Sequence, residues 1–313
     1  MLTIFSTPKP FQGHIGIIQR NALQSWKRIH PNVEIILFGD EEGASEAARE
    51  FGLRHVPNVP RNEFGTKFLT PVFDQAQEMA RYDLLCYVNC DIVLLSDFQC
   101  ALDRVSKRYT RFLVVGRRWD TSITRPIDFQ NLEWQENIGK LARKENHRRP
   151  ANWIDYFGFS RGLYHGNTPA FVIGRPGWDN WLLWKARASG AKVIDASEVV
   201  IAIHQNHDYS YHPQGAAGVW QGDEAQKNYE LLDGGRCFAT IENATHRLNA
   251  AGFQLNLRHW FVVLDRWMRA RISNAWFAIL DVTRRARHPL GIRRGSATAG
   301  GSATNPSERP ARQ

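Results

Sequence analysis

Residues 84–95 read "LLCYVNCDIVLL", an apolar run interrupted only by Asn89 and Asp91. Continuous rather than alternating hydrophobicity marks a strand covered on both faces, as in the parallel sheet of an α/β protein. A carboxylate at the mouth of such a strand costs free energy unless it meets a partner. Side chains two apart in an extended chain share a side, so Asn89 and Asp91 project together while Cys90 faces away. An amide oxygen beside a carboxylate suits Mg2+ or Mn2+ bridging a diphosphate. The alternative is a plain strand end in which Asp91 accepts hydrogen bonds from the following turn.

The rest of the chain repeats the alternation of strand and helix. "LTIFSTP" is a strand running into a Pro-containing loop, and Ile15, Ile18, Ala22, Trp26 and Ile29 follow at helical spacing. "VEIILFGD" is a buried strand, "EEGASEAAREFG" a short helix with Gly52 suited to its end, and "LRHVPNV" a strand. Leu69, Val72, Phe73, Ala76, Met79 and Ala80 mark a helix before the run at 84–95, and Ser96 or Asp97 is placed to cap one after it. "RFLVVGRR" is the next strand. Beyond residue 120 we expect a helix around 130–144, aromatic loops in "NWIDYFGFSRGLYH", a strand in "AFVIG", a helix beginning in "PGWDNWLLWKARASG" and a strand in "AKVIDASEV". The pattern predicts a mostly parallel sheet flanked by helices, with ligands at the carboxyl ends of its strands. Thr7, Pro8, Lys9, Asp40, Asn89, Asp91, Arg117 and Arg118 fall at those ends.

Charge divides the chain. Eleven Arg against three acids from residue 256 onward carry eight of the nine net positive charges, so the body before it is nearly neutral. That split disfavours nucleic acid as a partner. Residues 256–288 interleave Trp, Phe and Leu with Arg at helical spacing, as in a basic amphipathic helix. Such a helix either packs on the body or lies on an anionic membrane surface. Residues 289–313 have the composition of a disordered tail, which leaves 1–255 as the catalytic-sized domain. The four cysteines form no CxxC pair, which predicts buried free thiols rather than disulfides or a zinc site. "MLTIFSTPKP" lacks the features of a signal peptide, and no run is apolar enough to span a membrane, so a cytoplasmic protein is expected, peripheral at most.

Two further constellations carry chemistry. "AIHQNHDYSYHP" offers His204, His207, Asp208 and His212 after an apolar segment, with His204 at the strand end the first choice as a ligand of metal or phosphate. In "GRPGWDNWLLW", Asp179 or Asn180 falls near a helix start, where an acid is a routine cap. Against that, Trp178, Trp181 and Trp184 could form a wall for a sugar ring, with Asp179 as a general base. Asp155 is a second acid in an aromatic setting.

These blocks together resemble the GT-A-fold nucleotide-sugar glycosyltransferases, and among them a bacterial and plant group. The resemblance lies at residues 7–26, 37–43, 86–95 ("CYVNCDIVLL"), 115–120 ("VGRRWD"), 174–181 ("GRPGWDNW") and 202–213. It covers about residues 1–235 and implies a GT-A-type α/β fold. It also implies a metal-dependent transfer of a sugar, UDP-linked by expectation, to a hydroxyl acceptor on a carbohydrate or lipid-linked molecule. On that resemblance Asn89 and Asp91 stand at the metal motif, with Asn89 replacing its first Asp, and Asp91 and His204 hold Mn2+ or Mg2+. Thr7, Pro8, Lys9 and Asp40 hold the base and ribose, and Arg117 or Arg118 assists the diphosphate. Asp179 is the base of an inverting reaction, with Asp155, Trp178 and Asn180 around sugar or acceptor. If Asp179 only orients hydroxyls, the reaction is retaining. Asn89 and Asn180 keep open a binding protein without catalysis. A sugar-phosphate nucleotidyltransferase would be expected to carry a Gly-rich basic loop where this chain has "STPKPFQG".

Overall fold

Strands buried on both faces need two helical layers, and the computed structural model, which describes residues 1–257 except 167 and 211, has them. In chain order the elements are β1 (Thr3–Ser6), α1 (Gly13–Lys27), β2 (Glu34–Phe38), α2 (Ala44–Phe51), β3 (Arg54–Val56), α3 (Leu69–Met79) and β4 (Leu84–Val88). Then come β5 (Ile92–Val93), α4 (Ser96–Ser106), β6 (Phe112–Val115), β7 (Arg118–Thr121), α5 (Trp134–Glu145) and β8 (Tyr156–Ser160). The last are α6 (Trp178–Ala188), β9 (Lys192–Asp195), β10 (Ala202–Gln205), α7 (Gly215–Gln221), α8 (Asp223–Glu230), β11 (His246–Asn249) and β12 (Gly252–Leu255).

The main sheet has nine strands in the order β12-β11-β9-β6-β8-β4-β1-β2-β3. β8 pairs antiparallel with both β4 and β6, and β12 antiparallel with β11, while the other pairings are parallel. Alternate residues feed opposite cores. Phe5, Tyr87, Phe157 and Phe159 pack with α3 and α6. Ile4, Cys86, Val88 and Tyr156 pack with α1, α2 and α4. A second sheet, β5-β10-β7, sits under α5. This mixed, mostly parallel α/β architecture is the expected fold class.

Several local expectations are corrected. "NWIDYFGFSRGLYH" is not all loop: its Tyr156–Ser160 segment is β8, in the middle of the sheet, because both its faces are apolar or small. The expected strand in 170–174 is only an isolated bridge from Val172 to Phe68. Phe171 C=O and Ile173 N–H bond to the backbone of Leu69 and Lys67, and the Asn228 amide satisfies Val172, accepting from its N–H and donating to its C=O. "RFLVVGRR" is two strands rather than one. The chain turns at Gly116, where an added Cβ would lie 2.1 Å from the Tyr156 hydroxyl. The turn sends β7 into the small sheet beside β10 and delivers Arg118 and Asp120 there. Neither Ser96 nor Asp97 caps α4; the Asp97 carboxylate accepts the Ile201 N–H instead. Cys86 and Cys90 are buried and Cys237 half-buried, but Cys100 is exposed. Among the described residues no helix is long and apolar enough to cross a membrane. The expectations for 256–288 and 289–313 lie outside the described residues, apart from 256 and 257.

Candidate active site

A cavity of about 920 Å³ opens where β1, β4 and β10 end. Parallel strands release their loops on one edge, so residues distant in sequence converge there. After β1, the backbone of Lys9 is clamped by the buried Gln19 side chain, which accepts its N–H at 2.7 Å and donates to its carbonyl at 2.9 Å. After β4 come Asn89 and Asp91, and on β10 and just beyond it His204 and His207; all four border the cavity.

Asp91, His204 and His207 form its polar centre. One ligand atom from each lies within 4.8 Å of the other two. Asp91 Oδ2 is 3.0 Å from Lys9 Nζ and 3.2 Å from His207 Nε2, whereas the buried Oδ1 has no hydrogen-bond partner. Burial would raise the Asp91 pKa, but Lys9 and the two imidazoles outweigh it and hold the carboxylate well below its usual range. His204 Nδ1 lies 3.4 Å from Asp120 Oδ1, too loosely aligned to count as a hydrogen bond. A carboxylate with an unused buried oxygen and two imidazoles is a donor set that fits Mn2+ better than Mg2+, which favours oxygen alone.

A buried ionic ladder stands behind this centre. Asn89 Nδ2 donates to Asp155 Oδ1 at 2.7 Å, which leaves the amide oxygen as the acceptor of that side chain. Arg118 Nη1 meets both Asp155 oxygens, at 2.8 and 2.9 Å, and its Nε donates to Asp120 Oδ1 at 2.8 Å. Arg149 Nε donates to the other Asp120 oxygen. Burial works against the charged form of Asp120, but His204, Arg118 and Arg149 prevail and hold its pKa low. Asp155 and Arg118 both border the cavity, and their contacts orient Asn89 and Asp120.

Also on the cavity wall, α6 starts at Gly177, whose φ of +101° is one that L side chains rarely adopt. The turn sets Asp179 in the first helical turn, half-buried, with Oδ1 accepting the Gly177 N–H at 3.2 Å. Burial pushes its pKa up to about 7, and the Asp155 charge adds to the rise against hydrogen bonds from Asn180 and Gly177. Asn180 borders the cavity, but its Nδ2 is spent on Ala239 C=O at 3.0 Å.

Several expected contributors are not brought together. Asp40 is exposed and pairs with Arg61; of that pair only Arg61 borders the cavity. Arg117 does not border it, because neighbours on an extended chain face opposite ways; its guanidinium lies 3.9 Å from Glu242. The Trp wall is mostly core. Trp181 and Trp184 pack in the apolar layer under α6, and Trp178, which does border the cavity, is 4% exposed and edge-on to Tyr87. Helical spacing put them on one face, and that face is the one the sheet covers.

Other contributors were not singled out in the sequence. In the sequence, Asp120 in "VGRRWD" carries no signal of a role, and His207 lies beyond the strand end that favours His204. Trp153, Tyr209 and Trp220, all half-buried, border the cavity. Trp153 and Trp220 rings are 5.2 Å apart, and Tyr209 is edge-on to Trp220 at 6.2 Å. Trp153 stands two residues before Asp155, a spacing that could have flagged it; nothing near Trp220 does.

No family model matches the chain, and no curated protein matches it. Solved structures with similar chain paths include a mannosyltransferase from Pyrobaculum calidifontis in complex with GDP-Man and Mn2+. It is 14% identical, with 68% of this chain and 59% of that one covered at a TM-score of 0.43. Another is the glucosyl-3-phosphoglycerate synthase of M. tuberculosis, 12% identical over 76% of this chain and 80% of that one, at a TM-score of 0.44.

Proposed function

We propose that this chain is a glycosyltransferase that moves a sugar from a nucleoside-diphosphate donor to a hydroxyl of a carbohydrate acceptor, with inversion. The observation that carries the reading is one cavity holding two dissimilar carboxyl groups. Asp91, kept ionised beside two imidazoles, suits cation and diphosphate binding, and Asp179, raised to about 7, suits proton acceptance. Carboxyl groups whose environments push their pKa values apart are the signature of divided roles.

Asp91, His204 and His207 would hold a divalent cation, with the Asn89 amide oxygen as a further donor. The ion, when bound, supplies charge stabilisation to the departing diphosphate. The protein's own residues do the rest. Asp155 and Arg118 fix the Asn89 amide, and the Gln19 clamp fixes the loop that carries Thr7, Pro8 and Lys9 around the donor. Asp179 accepts the acceptor hydroxyl proton as that oxygen bonds to the anomeric carbon. The bond from that carbon to the diphosphate breaks, and its electron pair leaves on the diphosphate oxygen. Trp220 offers an aromatic ring against which an acceptor sugar would pack, while the Trp153 ring is covered by the Arg118 and Arg149 guanidinium groups, each 4.8 Å from its centre.

The test is nucleotide release from a panel of UDP- and GDP-sugars with MnCl2 and candidate acceptor glycans. Nucleoside diphosphate release that requires an acceptor, and falls about 100-fold or more in Asp179→Asn, is expected. Absence of binding to every donor in calorimetry would overturn the reading. Unimpaired turnover of Asp179→Asn would remove Asp179 from the role of base.

A further inference from the structure

The cation cluster already contains a cation. Lys9 Nζ lies 3.0 Å from Asp91 Oδ2 and 2.9 Å from His207 Nε2. His207 Nδ1 is 2.5 Å from the Asp208 carbonyl oxygen, which can only accept. His207 Nε2 also lies 3.2 Å from Asp91 Oδ2, so the three groups meet at one point. The Lys9 ammonium thus stands against the ring nitrogen and the carboxylate oxygen that a metal ion on these residues would approach. A divalent ion bound about 2.0–2.2 Å from these atoms would stand within contact range of the ammonium, and like charges at that separation repel strongly in a partly buried site.

The backbone that carries Lys9 is fixed. Gln19, itself 1% exposed, holds both backbone polar groups of Lys9. The Lys9 side chain is 28% exposed and borders the cavity, so its four-carbon stem has open space to swing into.

We propose that Lys9 is a resident counter-ion which keeps a divalent cation from settling on Asp91 and His207 until a nucleoside diphosphate draws the ammonium away. The diphosphate offers Lys9 a stronger anion than the shared Asp91 oxygen, and the vacated carboxylate and imidazole pass to the ion. Metal and nucleotide therefore bind as a pair, each weak alone, and the coupling is reciprocal. The half of this proposal that involves the nucleotide rests on the reading of the cavity as a donor site. The competition between Lys9 and the ion does not.

The test measures MnCl2 binding to the full chain by electron paramagnetic resonance and calorimetry, without donor or acceptor. Wild type, Lys9→Met and Lys9→Arg are compared, with thermal melts as a check on folding. Lys9→Met is expected to bind Mn2+ about tenfold tighter or more, while Lys9→Arg, which keeps the charge, stays within about threefold of wild type. With UDP or GDP present, wild type is expected to gain Mn2+ affinity and Lys9→Met to gain much less. Equal Mn2+ affinity in wild type and Lys9→Met overturns the proposal. So does equal tightening in Lys9→Arg, or no Mn2+ binding by any of the three. If Lys9→Met tightens Mn2+ but neither nucleotide binds, the competition stands and the donor-site reading fails.

Discussion

Asp179→Asn separates stability from activity, and its effect on stability can be worked out in advance. In the folded chain the Asp179 carboxyl has its pKa raised from 3.8 to about 7. Below the unfolded value the group is protonated in both states and contributes nothing to the difference between them. Between the two values the folded state holds a proton that the unfolded state has lost, so stability falls as pH rises. Above about 7 the folded state carries a buried charge and the loss is complete. Each pH unit in that window costs about 1.4 kcal/mol, which sets an upper bound of about 4 kcal/mol. Partial exposure of the side chain allows solvent to screen the charge, so about 2–4 kcal/mol is the range expected.

An asparagine is close in shape and keeps a carbonyl oxygen to accept the Gly177 N–H. The variant should therefore gain that 2–4 kcal/mol at pH 8, a rise of about 2–4 °C in Tm per kcal/mol for a chain of this size. At pH 4.5 it should gain little. Thermal melts by circular dichroism at the two pH values measure this, and the same preparations report turnover. A variant no more stable than wild type at pH 8, or equally stabilised at both values, refutes the claim that Asp179 carries an electrostatic burden. A site residue whose removal stabilises the fold while abolishing turnover is the trade-off expected of a group retained for chemistry.

Arg118→Met leaves Asp120 and Asp155 buried without their shared cation and should cost about 3–5 kcal/mol in urea unfolding. Adding Asp155→Asn should give back part of that loss, because the two residues act as one network. Trp220→Ala should raise KM for a glycan acceptor about tenfold and leave donor KM within about twofold, since stacked rings contribute about 1–3 kcal/mol. Gly116→Ala forces a Cβ toward the Tyr156 hydroxyl at 2.1 Å and should lower stability by about 1–3 kcal/mol, measured by thermal melting.

The parts of this molecule that could be read in advance are those where one short segment sets its own environment. β4 was legible because an apolar run with a terminal Asn89 and Asp91 admits few placements. α1, α2 and α3 were legible because their apolar spacing is local. β8 was not, since Asp155, Tyr156 and Phe157 read as aromatic loop until the sheet closes around them. The same limit applies to the site. Asp91, His204 and Asp179, which border one cavity, stand at strand ends and a helix start, which are local signals. The ladder from Asn89 through Asp155 and Arg118 to Asp120 was not, because each member is ordinary alone and acquires meaning only across separations of 37 and 66 residues. The Trp wall failed for the converse reason: helical periodicity reports that a face is shared but not what covers it. In this fold the sheet covers that face, and the rings at the cavity, Trp153 and Trp220, come from loop and helix segments with no apolar period. Lys9 shows the limit most clearly. Its place in the loop was legible from the sequence, but its contact with Asp91 and His207 spans 82 and 198 residues and exists only once three strand ends meet.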